Sequence, residues 1–328
     1  MSERIIQFRQ ALREAMIEEM ERDPNVFLIG EEVAQYQGAY KVSQGMLERF
    51  GPERVIDTPI SELGFAGIGV GAAMNGLRPI VEFMTWNFAL LAVDQIVNSA
   101  AKMLYMSGGQ FNVPMVFRGP SGFAGQLGSQ HSQSLGNWFA NVPGLKVVEP
   151  ATPYDAKGLL KSAIRDDDPV LVLESELMYN HKGPVPAEEY VVPIGQAEVV
   201  NEGTDATVIA WGKMRHVAQE AVDALAKEGY DIELIDLRSL RPIDVETLVR
   251  SVQKTNRAVI VEEAWPMASI SAEIAYQLQR RAFDYLDAPI MRCTTADVPA
   301  PYAPTLAERF LPNAREVIQQ LKAVMYAD

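Results

Sequence analysis

The chain has 328 residues, 48% of them hydrophobic and 22% charged, which is an ordinary globular composition long enough for two domains with a core each. A formal net charge of −14 repels phosphate backbones, so it argues against a nucleic-acid partner and favours a basic protein partner. A single cysteine, Cys293, excludes an internal disulfide, and no apolar run long enough to span a bilayer and no charged-then-apolar leader is visible, so export and membrane insertion are not expected.

Apolar positions over 7–21 recur at helical spacing and lead into a short apolar segment at 26–29, a helix feeding a buried strand. That strand stops at Gly30-Glu31-Glu32, and carboxylates at the carboxyl end of a parallel strand lie where open α/β sheets hold ligands. Two solvated loop acids would give the same letters. A glycine-containing connection over 34–41, a short helix to Phe50 and a strand at 55–57 precede DTPISELGFAGIGVG. Here Glu62 opens a helix expected over 62–76, ended by Gly76. Glycines 64, 67 and 71 share one helical face and would let another helix approach closely. The G-x-G-x-G run at 67–71 is not the dinucleotide fingerprint.

A strand is expected over 79–84, one helix of about five turns over 87–108, and another strand over 114–117. Residues 119–136 form a Gly-, Ser- and Gln-rich loop containing His131, and a loop of this length inside an α/β domain is usually functional. Strands at 145–148 and 169–173 flank a helix over 154–165. Alternation of this kind specifies a mostly parallel sheet covered on both faces. Periodicity weakens from 174 to 205, where Pro184, Pro186 and Pro193 occur. Strands at 206–211, 231–235, 258–261 and 289–292 then alternate with helices at 213–228, 244–253, 269–284 and 314–325. The expected architecture is therefore α/β in two domains, residues 1–185 and 206–328, joined by a linker over 186–205.

The three histidines, His131, His181 and His216, show no zinc spacing, and Ser121 lacks the nucleophile elbow. What remains is an acid between a strand end and a helix, and a histidine in a glycine-rich loop. Glu62 reads equally as a helix-capping acid or a ligand-facing carboxyl. His131 reads as a hydrogen-bonded loop residue or a site residue.

The blocks GEEVAQYQGAYKVSQG, RVIDTPISELGFAGIGVGAA, EFMTWNFALLAVDQIVNSAAK, VPMVFRGPSG, QHSQSLGNWFANVPGLKVV and KGLLKSAIRDDDPVLVLE carry a resemblance nearly end to end. The chain resembles the beta subunits of heterotetrameric pyruvate dehydrogenases, transketolase-like members of the 2-oxo acid dehydrogenase complexes. The resemblance implies a transketolase-type pyrimidine-binding domain followed by a transketolase C-terminal domain, and thiamine diphosphate as cofactor. It makes Glu62 the acid that hydrogen-bonds the aminopyrimidine ring and favours the imino tautomer. It matches His131 to a histidine beside the reacting centre, Phe88 to an aromatic on the pyrimidine face, and Glu31, Ile60 and Met84 to pocket-lining positions. It implies a potassium ion at Met115, Ala163, Ile164, Asp166 and Asp168.

The family's diphosphate and magnesium motif, GDG, belongs to the alpha subunit and is absent from this sequence. The resemblance thus implies half a site, with magnesium held by the alpha subunit and the glycine face of the 62–76 helix as a subunit contact in an α2β2 tetramer. It also implies docking on a dihydrolipoyl acetyltransferase core, with its lipoyl domain as acyl acceptor and pyruvate as substrate. Subunits for branched-chain 2-oxo acids or acetoin are the neighbouring readings, and a non-catalytic docking subunit is a reading of another class. The expected compartment is the cytoplasm, or the mitochondrial matrix if a presequence has been removed.

Overall fold

The computed structural model describes residues 3–327, which form two compact units. The first comprises residues up to Ser121 together with Trp138–Ile194, and the second comprises Gly122–Asn137 and the chain from Gly195 onward. Among the described residues no helix is long and apolar enough to cross a membrane.

In the first unit β1 (Glu3–Gln7) leads into α1 (Phe8–Arg22), β2 (Val26–Gly30), α2 (Met46–Phe50), β3 (Val55–Asp57), α3 (Glu62–Met74) and β4 (Arg78–Glu82). After β4 come α4 (Met103–Met106), β5 (Val116–Pro120), α5 (Gly136–Ala140), β6 (Lys146–Val148), α6 (Pro153–Arg165), β7 (Val170–Glu174) and β8 (Lys182–Pro186). Strands β6-β7-β5-β4-β2-β3 lie side by side in that order, all parallel. Every residue of β2, β5 and β7 is buried, as expected of parallel strands covered on both faces. Helices α1 and α6 bury Phe8, Leu12, Met16, Leu159 and Ala163 against one face. Their shared rim is neutralised by Lys157 and Lys161, both almost fully buried and paired with Glu18 at 2.6 and 2.7 Å.

The sequence reading assigned nothing to residues 3–6, where β1 pairs antiparallel with β8 in an edge ribbon that tolerates Pro184 and Pro186. One expectation changes. Residues 87–108 do not form one α-helix. A 3₁₀ segment, Trp86–Ala92, passes into a π turn, Gln95–Ala100, and then into α4. The buried positions Ala92, Ile96 and Ala100 recur every fourth residue, a longer repeat than the 3.6 of an α-helix. The wider π turn keeps that stripe against the core.

The second unit contains β9 (Glu198–Asn201), β10 (Ala206–Ala210), α7 (Met214–Lys227), β11 (Ile232–Asp236), the short β12 (Ser239–Arg241), α8 (Val245–Thr255), β13 (Ala258–Val261), α9 (Ile270–Ala282), β14 (Met291–Cys293), α10 (Pro304–Phe310) and α11 (Ala314–Val324). Its sheet has the order β14-β13-β10-β11-β9, parallel except for β9. Residues 198–201, where periodicity is weak in the sequence, thus supply an antiparallel edge strand. Val208, Leu234, Val259 and Cys293 pack under α7 and α11 through Leu225, Val317 and Leu321.

Candidate active site

The carboxyl edge of the first unit's sheet gathers its acids. Gly30 ends β2, and Glu32, with φ 59°, turns the chain sharply after Glu31. The Asp57 carboxylate at the end of β3 accepts the amides of Ala34 and Gln35 at 2.7 and 2.9 Å, which ties this turn to the neighbouring strand. Glu62 is the first residue of α3, where a carboxylate also meets the positive end of the helix dipole. Both acids are buried: Glu31 is 5% exposed and Glu62 4%.

Burial, and next the Glu62 charge, push the Glu31 carboxyl up to about 7. The Met84 amide at 3.4 Å opposes that shift, and Glu82 adds to it. Glu31, out of water beside a like charge, therefore holds or yields its proton near neutral pH.

Around this pair, Met84 and Phe88 are half-buried, and Ile60 projects with 83% of its surface exposed. Phe83 and Trp86 underneath are fully buried and meet edge to face at 5.3 Å. They fix the 3₁₀ segment that carries Phe88. On α3 the glycine in tight contact with the sheet is Gly69: a Cβ there would lie 2.7 Å from Val81 and 3.1 Å from Met115. Among the three glycines singled out by spacing, Gly67 faces Gln95 of the π turn and Gly71 faces open space. Leu63 and Ile68 of α3 are exposed.

His131 lies in a 3₁₀ turn, Ser129–His131, that belongs to the second unit, and its side chain is exposed. The Ser129 hydroxyl donates to the Ala300 carbonyl at 2.8 Å, and the Gly122 amide donates to the Gln133 carbonyl at 2.9 Å, which pins both flanks of the turn. At the loop's root Glu263 accepts the Phe123 amide while paired with Lys213 at 2.6 Å. Gly122, with φ +81°, is required there because a Cβ would press on that carboxylate.

The remaining expected residues cluster at the other end of the first sheet. Ala163 and Ile164 are in the last turn of α6, Asp166 follows it, Asp168 precedes β7 and Met115 precedes β5. Arg78 donates to the carbonyls of Ile164 and Asp166 at 3.0 and 2.6 Å. Lys146 bridges the carboxylates of Asp166 and Asp168 at 2.8 and 3.0 Å. The structure therefore brings Glu31, Ile60, Glu62, Met84 and Phe88 to the carboxyl edge, the five oxygen donors to a separate place, and His131 to the second unit.

A buried ion-pair group directly beneath the carboxyl edge escaped the sequence reading. Arg118 of β5 is fully buried between Glu82 of β4 and Glu174 of β7. The available signal was a charged residue within each of three apolar strands, but only the strand order β4-β5-β7 shows that they meet.

Parallel strands with acids at their carboxyl ends, and a second α/β unit, make this a two-domain α/β protein. The family model "Transketolase, pyrimidine binding domain" matches residues 4–182, and "Transketolase, C-terminal domain" matches residues 195–317. A solved structure described as a split gene transketolase, inactive beta4 tetramer, superposes with a TM-score of 0.81 over 98% of both chains at 23% identity, a likeness of fold. The pyruvate dehydrogenase E1 component subunit beta of Rhizobium meliloti is 56% identical over 97% of this chain and 69% of its own length. That of Rickettsia felis is 54% identical over 98% of both chains, and a mitochondrial beta-1 subunit from Oryza sativa is 53% identical over 97% and 86%. The chain belongs to the beta subunits of the pyruvate dehydrogenase E1 component.

Proposed function

We propose that this chain contributes the pyrimidine-facing half of a thiamine diphosphate site in a pyruvate dehydrogenase, and that an alpha subunit completes it. The observation carrying the reading is the buried Glu31–Glu62 pair at the head of a parallel sheet. A carboxyl that holds or yields a proton near neutral pH suits the ring nitrogens of an aminopyrimidine, so the residues present fit the cofactor. Thiamine diphosphate, when bound, supplies an electron sink for the loss of carbon dioxide from a 2-oxo acid.

In this reading Glu62 would hydrogen-bond a pyrimidine ring nitrogen, with Glu31 beside it. Glu31, Met84 and the exposed Ile60 line the pocket, and Phe88 packs on the ring face. His131 handles a proton near the reacting carbon and at acyl transfer to a lipoyl group. Leu63, Ile68 and the open side of Gly71 form the α3 face on which the alpha subunit would sit.

Partners in this proposal are an alpha subunit in an α2β2 assembly, which also holds the magnesium, and a dihydrolipoyl acetyltransferase core. A bacterial cytoplasm or a mitochondrial matrix suits this assembly. Potassium would be held by the carbonyls of Met115, Ala163 and Ile164 together with Asp166 and Asp168. That donor set is all oxygen, as a hard cation requires, and a carbonyl already accepting from Arg78 or Val170 keeps a second lone pair. The similar subunits are named for pyruvate dehydrogenase, which disfavours the branched-chain, acetoin and docking-only readings.

Thermal unfolding separates these elements, because a ligand stabilises only the state that binds it. Thiamine diphosphate with magnesium is expected to raise the Tm of the α2β2 assembly and leave that of the isolated chain unchanged. Potassium, compared with choline, is expected to raise the Tm of the isolated chain. A cofactor-induced rise in the isolated chain would sink the half-site reading, and equal Tm values in the two salts would sink the potassium site.

A further inference from the structure

The second unit's sheet has a carboxyl edge of its own. Its strands β10 and β13 are parallel neighbours, with Ala210 the register partner of Val261, so Lys213 and Glu263 emerge side by side just past the two strand ends. Open α/β sheets hold their ligands at this edge. Here it holds a loop of the same chain. Lys213 and Glu263 form an ion pair at 2.6 Å, and each is 8% exposed. Together they take both peptide groups of one loop residue: Glu263 Oε1 accepts the Phe123 amide, and Lys213 Nζ donates to the Phe123 carbonyl at 2.7 Å. The Phe123 ring packs on Phe310, with 6.0 Å between ring centroids, and on Ala300. Beside Glu263, the Glu262 carboxylate accepts the amides of Ile270 and Ser271 at 3.1 and 2.9 Å, which ties this strand end to the start of α9.

The grip reaches His131 through the backbone. Gly122, next to Phe123, donates its amide to the carbonyl of Gln133, two residues past His131, at 2.9 Å. The His131 amide closes its own turn on the Gly128 carbonyl at 3.2 Å. Ser129 is tied to Ala300, and the Asn137 side-chain amide donates to the Ala268 carbonyl at 3.0 Å. All of these partners belong to the second unit. A buried ion pair contributes little net stability compared with apolar residues of the same volume. What it adds is direction, because one fixed donor and one fixed acceptor admit a single placement of the Phe123 peptide groups.

We propose that Lys213 and Glu263 are positioning residues: by gripping both peptide groups of Phe123 they fix the turn that presents His131. This rests on reading His131 as a residue of the active site.

The test replaces the ion pair by apolar residues of similar size, Lys213→Met with Glu263→Leu, in the full chain assembled with its alpha partner. Neither charge is then left buried alone, so the fold is expected to persist. Amide hydrogen exchange over 122–133 is expected to speed up by about 10²-fold, while β10 and β13 stay protected. The kcat is expected to fall by about 10²-fold, the scale of a small misplacement of a reacting group. In a His131→Ala background the same double change is expected to cause no further fall, a coupling that a merely structural role would not produce. Glu263→Gln keeps an acceptor for the Phe123 amide and is expected to raise exchange only about tenfold; it serves alone should the double variant fail to fold. Unchanged loop exchange in the variant that folds, or an equal fall in kcat with and without His131, overturns the proposal. Wild-type turnover in His131→Ala would remove the proposed role of His131, and loop exchange would then still decide whether the pair holds the turn.

Discussion

Glu62→Gln is expected to lower kcat of the assembled enzyme by about 10²- to 10⁴-fold, the range for removing a general acid–base group. The amide is isosteric, so it keeps the first-turn position of α3 and the contacts of Phe65 and Ala66 that hold the helix on the core. What it loses is the carboxyl group to which the proposed reading assigns the acid–base role. The Tm should remain near wild type, and thiamine diphosphate should still bind the assembly, more weakly. A near-wild-type kcat would remove Glu62 from the chemistry. A large drop in Tm would make the loss one of folding.

Arg118→Met is expected to destabilise the chain by about 3–5 kcal/mol, because it leaves two buried carboxylates without their cation. That is a large fraction of a typical domain's stability, so low expression is part of the expected result. The pH dependence follows from burial. Burial already pushes the Glu82 carboxyl up, and removing Arg118 takes away the charge that opposes this, so its folded-state pKa rises further above the unfolded one. The variant should therefore come closest to wild type in mild acid and lose ground as pH rises. Denaturant midpoints at two pH values check both statements. A loss below about 1 kcal/mol would show that the pair is solvated rather than sealed.

The strand–helix alternation made the two α/β units readable, because parallel strands covered on both faces are continuous apolar runs such as VFLIG and VLVLE. Glu31 was visible as an acid at a strand end and Glu62 as an acid opening a helix, but the effect of the Glu62 charge on Glu31 depends on a proximity that no spacing encodes. The Glu82–Arg118–Glu174 group was hidden for the same reason. Its members are 36 and 56 residues apart and meet only because β5 lies between β4 and β7. The 87–108 segment misled because its apolar spacing lies between the α and π repeats. In α3 the spacing of 64, 67 and 71 suggested a face for another helix, and it gave no sign of the sheet contact that Gly69 makes. Roles for His131 and Phe88 come from resemblance to the family, because an exposed histidine in a loop and a half-buried phenylalanine announce no chemistry by themselves.

The most direct test of the central claim is a steady-state assay of the chain with and without its alpha partner, run on pyruvate, 3-methyl-2-oxobutanoate and acetoin. The account requires turnover of pyruvate well above the other two, and only when both subunits are present. Turnover by the isolated chain, preference for one of the other substrates, or no activity with any of them in the assembled tetramer would contradict it.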